Sequence, residues 1–481
     1  MRDFAAIGLN VAARQGAAYA DIRIVQNRFE DLTVRNSELG QADVGESLGF
    51  GVRVLLAGAW GFASSPQLSR PELSRVARQA CALAKASSGL QRKKVRLSRE
   101  DVHQTSWQTP VIIDPFSVSQ AEKLDLLFQI DKALRRDPRI KVAESGMSFS
   151  REQQWFASTE GAWIDQTLTR SGAGYSVTAV EGNEIHERSY PMSFGGQYLS
   201  MGYELIPALK LMEHADQTRE EAIALLSAKP CPAARTTLIL DGTQLALQIH
   251  ESCGHPSELD RVLGIEENYA GRSFLTPEKY NRYRYGSEHV TLMADSTLPG
   301  GLATFGYDDD GVRAQRWPIV REGIFTGYAT NREFASTLGE RSRGTCRADG
   351  WSHFPMIRIP NLSLMPGSWR LDELIADTRE GIFMCTNRSW SIDQMRYNFQ
   401  FGCEVGWEIK NGRVGTMLKN CSYQGITPDF WRSCDAVCAQ EDWQPWGVVN
   451  CGKGQPGQRA EMSHGAAPAR FRKVTVGVAR T

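Results

Sequence analysis

No sign of charge dominates this sequence. Its 481 residues carry 55 Lys and Arg against 55 Asp and Glu, so the formal net charge is zero. A dedicated nucleic-acid binder shows a basic excess, and this chain has none. Cysteine is scarce as well. Ten cysteines in a chain of this length fall far below the roughly 8% of a short chain that marks a disulfide scaffold. Long apolar runs are missing. No stretch reaches the ~18 apolar residues of a spanning helix, and the best run, 52–62, is broken by Arg53 and Gly58. Residues 1–27 hold no continuous apolar segment with a small-residue cleavage site. The expectation is a cytoplasmic chain that touches neither membrane nor nucleic acid directly. Its cysteines are then reduced thiols or metal ligands. Fixed-period repeats and low-complexity tracts are also lacking. Hydrophobic residues at 41% and charged residues at 23% exclude wholesale disorder.

What is present reads as α+β. The pattern predicts helices over 5–15, 70–86, 121–135 and 218–228, and strands over 19–26, 30–35, 48–56 and across 139–200. Pro71 suits a first helical turn. The basic run 92–96 reads as a solvated linker face. Lys229-Pro230-Cys231-Pro232 is a proline-bearing break. It divides the chain into an N-terminal α/β-type domain, 1–229, and a strand-rich C-terminal domain, 230–481. Short helices are expected near 243–252, 331–338 and 371–376. A terminal strand is expected near 475–478, with solvated charges at 470–473 before it.

The chemistry concentrates at 236–256, TTLILDGTQLALQIHESCGHP. A β-rich run ends at Asp241, a good helix N-cap. His250-Glu251-Ser252-Cys253-Gly254-His255 then supplies two imidazoles and a carboxylate. Those are the groups a hydrolytic zinc site needs: His to bind the metal, Glu to take a proton from water. The familiar spacing is i, i+4. Here it is i, i+5, which on a regular helix turns the two His roughly 140° apart. Both reach one ion only if the helix ends or bulges between them. Gly254 can take a left-handed cap and Pro256 forbids continuation. Spacing leaves the third ligand open. Cys253 lies near His250 on a helix face. Cys434 and Cys438, four apart, read first as buried thiols. Cys451, in a Gly-rich stretch near Lys453, has the expected exposure and positive neighbour that favour thiolate.

Taken in order, His250 to Pro256, Asp295 with Leu298-Pro299-Gly300, Tyr307 to Gly311, Asn361 and Cys451-Gly452-Lys453 resemble the TldD/PmbA family of zinc metalloproteases, in its motif-bearing, TldD-like branch. Gly51-Val52-Arg53-Val54 and Trp60-Gly61-Phe62-Ala63 add a weaker match in the N-terminal half. The resemblance implies a Zn2+ site of His250, His255 and Cys451, with Glu251 as the general base that activates a zinc-held water. It implies metal chemistry in the C-terminal domain and a dimer, either with itself or with a motif-lacking TldE/PmbA-like paralogue. It also implies peptide or unfolded-protein substrates, and a gyrase-modulator label for some members. The segment 387–398, NRSWSIDQMRYN, is bulkier and more polar than the family's Gly-rich version, which bears on substrate preference.

The expected activity is metal-assisted amide hydrolysis. A thiolate ligand donates more charge than imidazole, so slow turnover or restricted substrates are expected. An extended peptide could pair with a sheet edge in the strand-rich half. His353 is a candidate for orienting substrate or stabilising an oxyanion. The charged, aromatic segment 282–285 is a candidate lid or interface. Asp308, Asp309 and Asp310 could form a cation cluster, though a turn is the commoner use. Two rivals share these residues: a zinc hydrolase of a non-peptide amide, and a non-proteolytic regulatory subunit. A regulator needs no general base, so the complete set speaks against the second.

Overall fold

The computed structural model describes residues 1–91, 93–269 and 271–477. Long strands with tight turns build an eight-stranded sheet from residues before 200. Its order is Ala59–Ser65, Glu38–Leu56, Tyr19–Arg35, Ile140–Ser158, Trp163–Glu181 and Gln104–Gln108. Glu184–Tyr190 and Gln197–Leu199 also pair with Trp163–Glu181. Helices Arg2–Arg14 and Arg70–Ser88 cover one part, over Ile22, Ile24, Phe50, Val52, Leu73 and Val76. Helices Gln120–Leu134 and Leu211–Ser227 cover another, over Leu127, Ile130, Phe149 and Val177. Burying each such side chain contributes about 1.5–3 kcal/mol. Gly61 lets helix Arg70–Ser88 lie close, because a Cβ there would come 2.0 Å from the Ala80 carbonyl oxygen.

The N-terminal α/β expectation is corrected here. Strands Tyr19–Arg35, Glu38–Leu56 and Ala59–Ser65 follow one another antiparallel. Only Gln104–Gln108 joins this sheet in parallel. The reason lies in the connections. Asn36 and Ser37, both at positive φ, turn the chain straight back, where parallel strands would need a crossover helix.

Beyond residue 228 a second eight-stranded sheet forms. Strands Glu380–Ile392, Ala234–Leu240, Ala469–Val476, Ser422–Ile426 and Asn398–Lys410 pair in that order. Asn398–Lys410 pairs back with Glu380–Ile392 and closes the ring. Phe399, Phe401, Tyr423, Phe430 and Phe471 share one core with Leu245 and Ile249 of the motif helix. The hairpin Gln444–Lys453 with Gln458–Ala466 lies on the other side of that helix. The helices near 331–338 and 371–376 are present as Arg332–Leu338 and Leu371–Ala376.

Charge placement departs from expectation at the C-terminus. The last strand begins at Ala469, so Arg470 lies inside it and is buried, paired with Asp435 and Asp377 at 2.8 and 2.7 Å. Val478, the end of the expected strand, lies outside the described residues, as does Arg92 of the basic run. Lys93, Lys94 and Arg96 are exposed. Among the described residues, no helix is long and apolar enough to cross a membrane.

Candidate metal centre

Strand Ala234–Leu240 delivers the chain to Asp241, whose carboxylate accepts from the Gln244 amide at 2.9 Å and caps helix Gly242–Ile249. All eight residues of that helix are buried. The next turn is widened. His250–Gly254 is a π-helical turn, and the His255 amide donates to the His250 carbonyl. That i→i+5 bond stacks residues five apart, which is what the unusual His spacing requires. The imidazoles meet edge to face with centroids 4.8 Å apart. A 3-10 turn, His255–Ser257, follows with Pro256 in it. The break therefore comes from widening, and the expectation of a left-handed Gly254 is corrected: its φ is −67°. Glycine is needed there for space, since a Cβ would lie 2.9 Å from Ile359 Cδ1.

Cys451 arrives on strand Gln444–Lys453, at a register shift between Val448 and Cys451. Its Sγ lies 3.6 Å from His255 Nε2. One ligand atom each from His250, His255 and Cys451 falls within 4.8 Å of the others. Ligands on one zinc sit about 2.0–2.3 Å from the ion, so side-chain shifts of order ~1 Å complete the fit. Two soft or borderline nitrogen ligands and a thiolate suit zinc over harder cations. Among the described residues no other group of three such side chains comes together.

The expected exposure of Cys451 is corrected, because it is buried at 4%. Burial works against its thiolate, but His255 and the Arg358 guanidinium outweigh it and hold the thiol below its usual range. Lys453 is not its positive neighbour. That ammonium is fully buried between Glu258 and Asp260, at 3.1 and 2.8 Å. Burial lowers both imidazoles, His250 to about 4, which leaves His250 neutral near pH 7.

Outer partners fix each ring. His255 Nδ1 lies 2.8 Å from Glu258 Oε2, leaving Nε2 for the site. Burial pushes Glu258 upward, but Lys453 and His255 hold its carboxyl well below the ordinary range. His250 Nδ1 lies 2.8 Å from His464 Nε2, and His464 Nδ1 lies 2.9 Å from the Leu362 carbonyl oxygen. Sequence reasoning missed His464, Glu258 and Arg396. Only Glu258 carried a local signal, three residues beyond His255.

Glu251 lines a cleft of about 640 Å³ together with His250, His255, Cys451, Phe194, Trp390 and Tyr269. Its carboxylate accepts a hydrogen bond from Arg396. Other expected residues lie elsewhere. Cys253 faces Tyr285 at 3.2 Å, and burial pushes its thiol up to about 12. Cys434 and Cys438 are buried thiols, also pushed up by burial to about 12. His353 is not among the residues lining this cleft. It bonds through Nδ1 to the Asp349 carbonyl at 2.8 Å, and its own carbonyl accepts from Arg23 at 2.6 Å. Tyr285 is no lid residue, being buried with its hydroxyl donating to the Ser252 carbonyl at 2.5 Å. The aspartate triplet is buried and its oxygens are taken. Asp310 meets Arg53 at 2.6 Å, Asp309 meets Arg23 at 3.3 Å, and Asp308 accepts the Cys346 amide at 2.9 Å.

A profile of the PmbA/TldA metallopeptidase C-terminal domain matches residues 233–478. Profiles of domain 1 and of the central domain match 20–84 and 113–226. A metalloprotease of Methanocaldococcus jannaschii is 30% identical over 94% of this chain and 95% of its own length. A zinc metalloprotease TldD homologue of Saccharolobus solfataricus is 22% identical over 97% of this chain and 98% of its own. The fold is shared with a solved Thermotoga maritima structure described as a candidate modulator of a DNA gyrase. The TM-score is 0.78 at 17% identity, covering 99% of this chain and 100% of that one. TldE from Thermococcus kodakarensis shares it too, with a TM-score of 0.74 at 15% identity over 98% and 99% of the two chains. The chain belongs to the TldD/PmbA family of metallopeptidases.

Proposed function

We propose that the protein is a zinc-dependent peptidase that hydrolyses peptide bonds in unfolded or small peptide substrates. The carrying observation is the convergence of His250, His255 and Cys451 beside Glu251, on the wall of an open cleft. His250, His255 and Cys451 would hold zinc, which supplies a Lewis acid for the carbonyl and acidifies attacking water. Glu251, next in sequence to a ligand, takes the water proton and returns it to the leaving amine. Arg396 must release Glu251 before the carboxylate can do so. Phe194, Trp390 and Tyr269 offer apolar contact to an extended chain and no base-specific or sugar-specific polar array.

Support for a two-unit division at 1–229 and 230–481 comes from the sheets, which draw on residues 19–199 and 229–476 respectively. The zinc site then belongs to the second unit. Dimerisation, with itself or with a motif-lacking paralogue, is supported by Leu263, Ile265 and Tyr269, which stand 44%, 63% and 55% exposed just beyond the motif. A cytoplasmic location is supported by the ten cysteines, all of which are free thiols in the structure.

Replacing Glu251 by Gln tests the reading. About one zinc per chain should remain, while cleavage of an unfolded peptide should fall by roughly 10²–10⁴-fold. Undiminished cleavage would overturn the assignment of the base.

A further inference from the structure

The cleft beside Glu251 is lined by one guanidinium and one carboxylate, Arg396 and Glu251, and in this structure they bind each other. The general base is therefore capped at rest. Arg396 is built to do this. It sits in the turn between strands Glu380–Ile392 and Asn398–Lys410, in the left-handed region at φ 63°. Asp393 fixes that turn by accepting from the amides of Tyr397 and Asn398 at 2.8 and 3.0 Å. Thr427 donates to the Arg396 carbonyl at 2.9 Å. A non-glycine residue held there is strained, and such positions cluster at active sites and ligand clamps. Arg396 Nε has no hydrogen-bond partner, so the fork is only partly used.

A second observation comes from the same hairpin. Asn387 is 1% exposed and lines the cleft, yet neither its amide nitrogen nor its amide oxygen has a partner. Leaving both unmet in a buried site is unfavourable until a ligand pairs with them. A carboxamide offers an NH2 donor group and a carbonyl acceptor side by side, which can pair with the C=O and N–H of a peptide group. Asn387 pairs with Cys403 at the edge of a register shift that leaves Arg388 without a cross-strand partner before Ser389 meets Gly402.

We propose that Asn387 and Arg396 select peptides carrying a carboxylate on the residue flanking the scissile bond, and that this carboxylate uncaps Glu251 by taking Arg396 from it. The proposal rests on the peptidase reading above. Asn387 pairs with the substrate main chain. Arg396 exchanges an internal carboxylate for an external one, and a guanidinium fork favours that exchange because it binds carboxylates in bidentate fashion. The carboxylate must flank the scissile bond, because the guanidinium lies within hydrogen-bond reach of the base that acts there. It can come from a chain terminus or from an Asp or Glu side chain.

Fluorescence anisotropy on zinc-loaded protein tests this without turnover. The probes are one labelled tetrapeptide with a free C-terminal carboxylate, the same peptide amidated, and an amidated peptide ending in Glu. With Glu251→Gln, which removes the internal competitor, one carboxylate peptide should bind at least tenfold more tightly than the plain amide. The peptide that gains identifies the source of the carboxylate. Wild type should show a smaller preference. Adding Arg396→Gln should reduce the preference to within twofold, and Arg396→Lys should retain part of it. Asn387→Leu should weaken all three peptides alike. A preference below twofold in Glu251→Gln, or one that survives Arg396→Gln, overturns the role of Arg396. Unchanged binding in Asn387→Leu overturns that of Asn387. An Arg396-dependent preference in a protein that cleaves nothing would overturn the peptidase reading and the uncapping step with it, and leave only carboxylate recognition by Arg396.

Discussion

His464 stands behind His250. The two rings are joined Nε2 to Nδ1 at 2.8 Å, and the Leu362 carbonyl anchors the far side of His464. The chain of acceptors fixes the protons. Leu362 can only accept, so His464 carries its proton on Nδ1 and accepts at Nε2. His250 then carries its proton on Nδ1 and turns a bare Nε2 toward the site. Losing such an outer partner typically costs ~10–100-fold in metal affinity. His464→Ala should weaken zinc by that much in a competitive chelator titration. His464→Gln keeps an acceptor for His250 and should recover part of the loss. Equal affinities in all three proteins would mean that His464 is only packing.

The π turn makes its own demand at Gly254. A Cβ there would meet Ile359 at 2.9 and 3.0 Å. Overpacking of this kind costs about 1–3 kcal/mol. Gly254→Ala should lower the melting temperature and loosen zinc together, because the crowded turn also carries His250 and His255. Pairing it with Ile359→Val removes the nearer of the two clashing methyls, Cδ1, and should restore part of both. A double variant as unstable as the single one would point to backbone conformation in place of crowding.

The aspartate triplet predicts stability, not metal dependence. Arg53 is buried between Asp21 and Asp310, at 2.6 Å from each. Asp310 also accepts the Arg332 amide at 2.9 Å. These contacts tie strands of the first sheet to the loop at 308–312. Losing Asp310 leaves Arg53 paired with Asp21 but removes a charged hydrogen bond, worth about 1.5–3 kcal/mol, and leaves the Arg332 amide without its acceptor. Asp310→Ala should show that loss in denaturant unfolding, and Asp310→Asn should lose less. Calcium or magnesium should leave the unfolding midpoint unchanged. A rise in the midpoint with either ion would restore the cation-cluster reading.

The centre was partly legible because its constraint is local. A spacing of i, i+5 demands a distorted helix wherever the chain goes, and Asp241 marks where that helix starts. What lay beyond the local pattern was misread or unseen. Gly452 and Gly454 made Cys451 look exposed, but pairing with Ala460 and packing against the motif helix bury it. Lys453 read as the positive neighbour of Cys451, but Glu258 and Asp260 enclose its ammonium. His464 and Arg396 sit 214 and 145 residues from their partners, and no periodicity links them. Strand direction in the first half was equally hidden. Alternation finds strands but says nothing about whether neighbours run parallel.

Glu404 makes stability depend on pH. It is buried at 3%, and it accepts from Arg188 Nη1 at 2.7 Å and from the Ser189 amide at 2.8 Å. Burial raises its carboxyl from 4.5 to about 7, with Arg188 and Ser189 only partly opposing the shift. The folded chain therefore keeps this proton to higher pH than the unfolded chain does. A proton bound more tightly in the folded state stabilises it, so the contribution is complete below about 4.5. It fades as pH rises through about 7. Glu404→Gln carries no titrating proton. Subtracting its unfolding free energy from that of wild type should leave a term that falls between pH 5 and 8 and is flat above. A difference that instead grows with pH would mean that the Arg188 pair outweighs burial and that the carboxyl is held down.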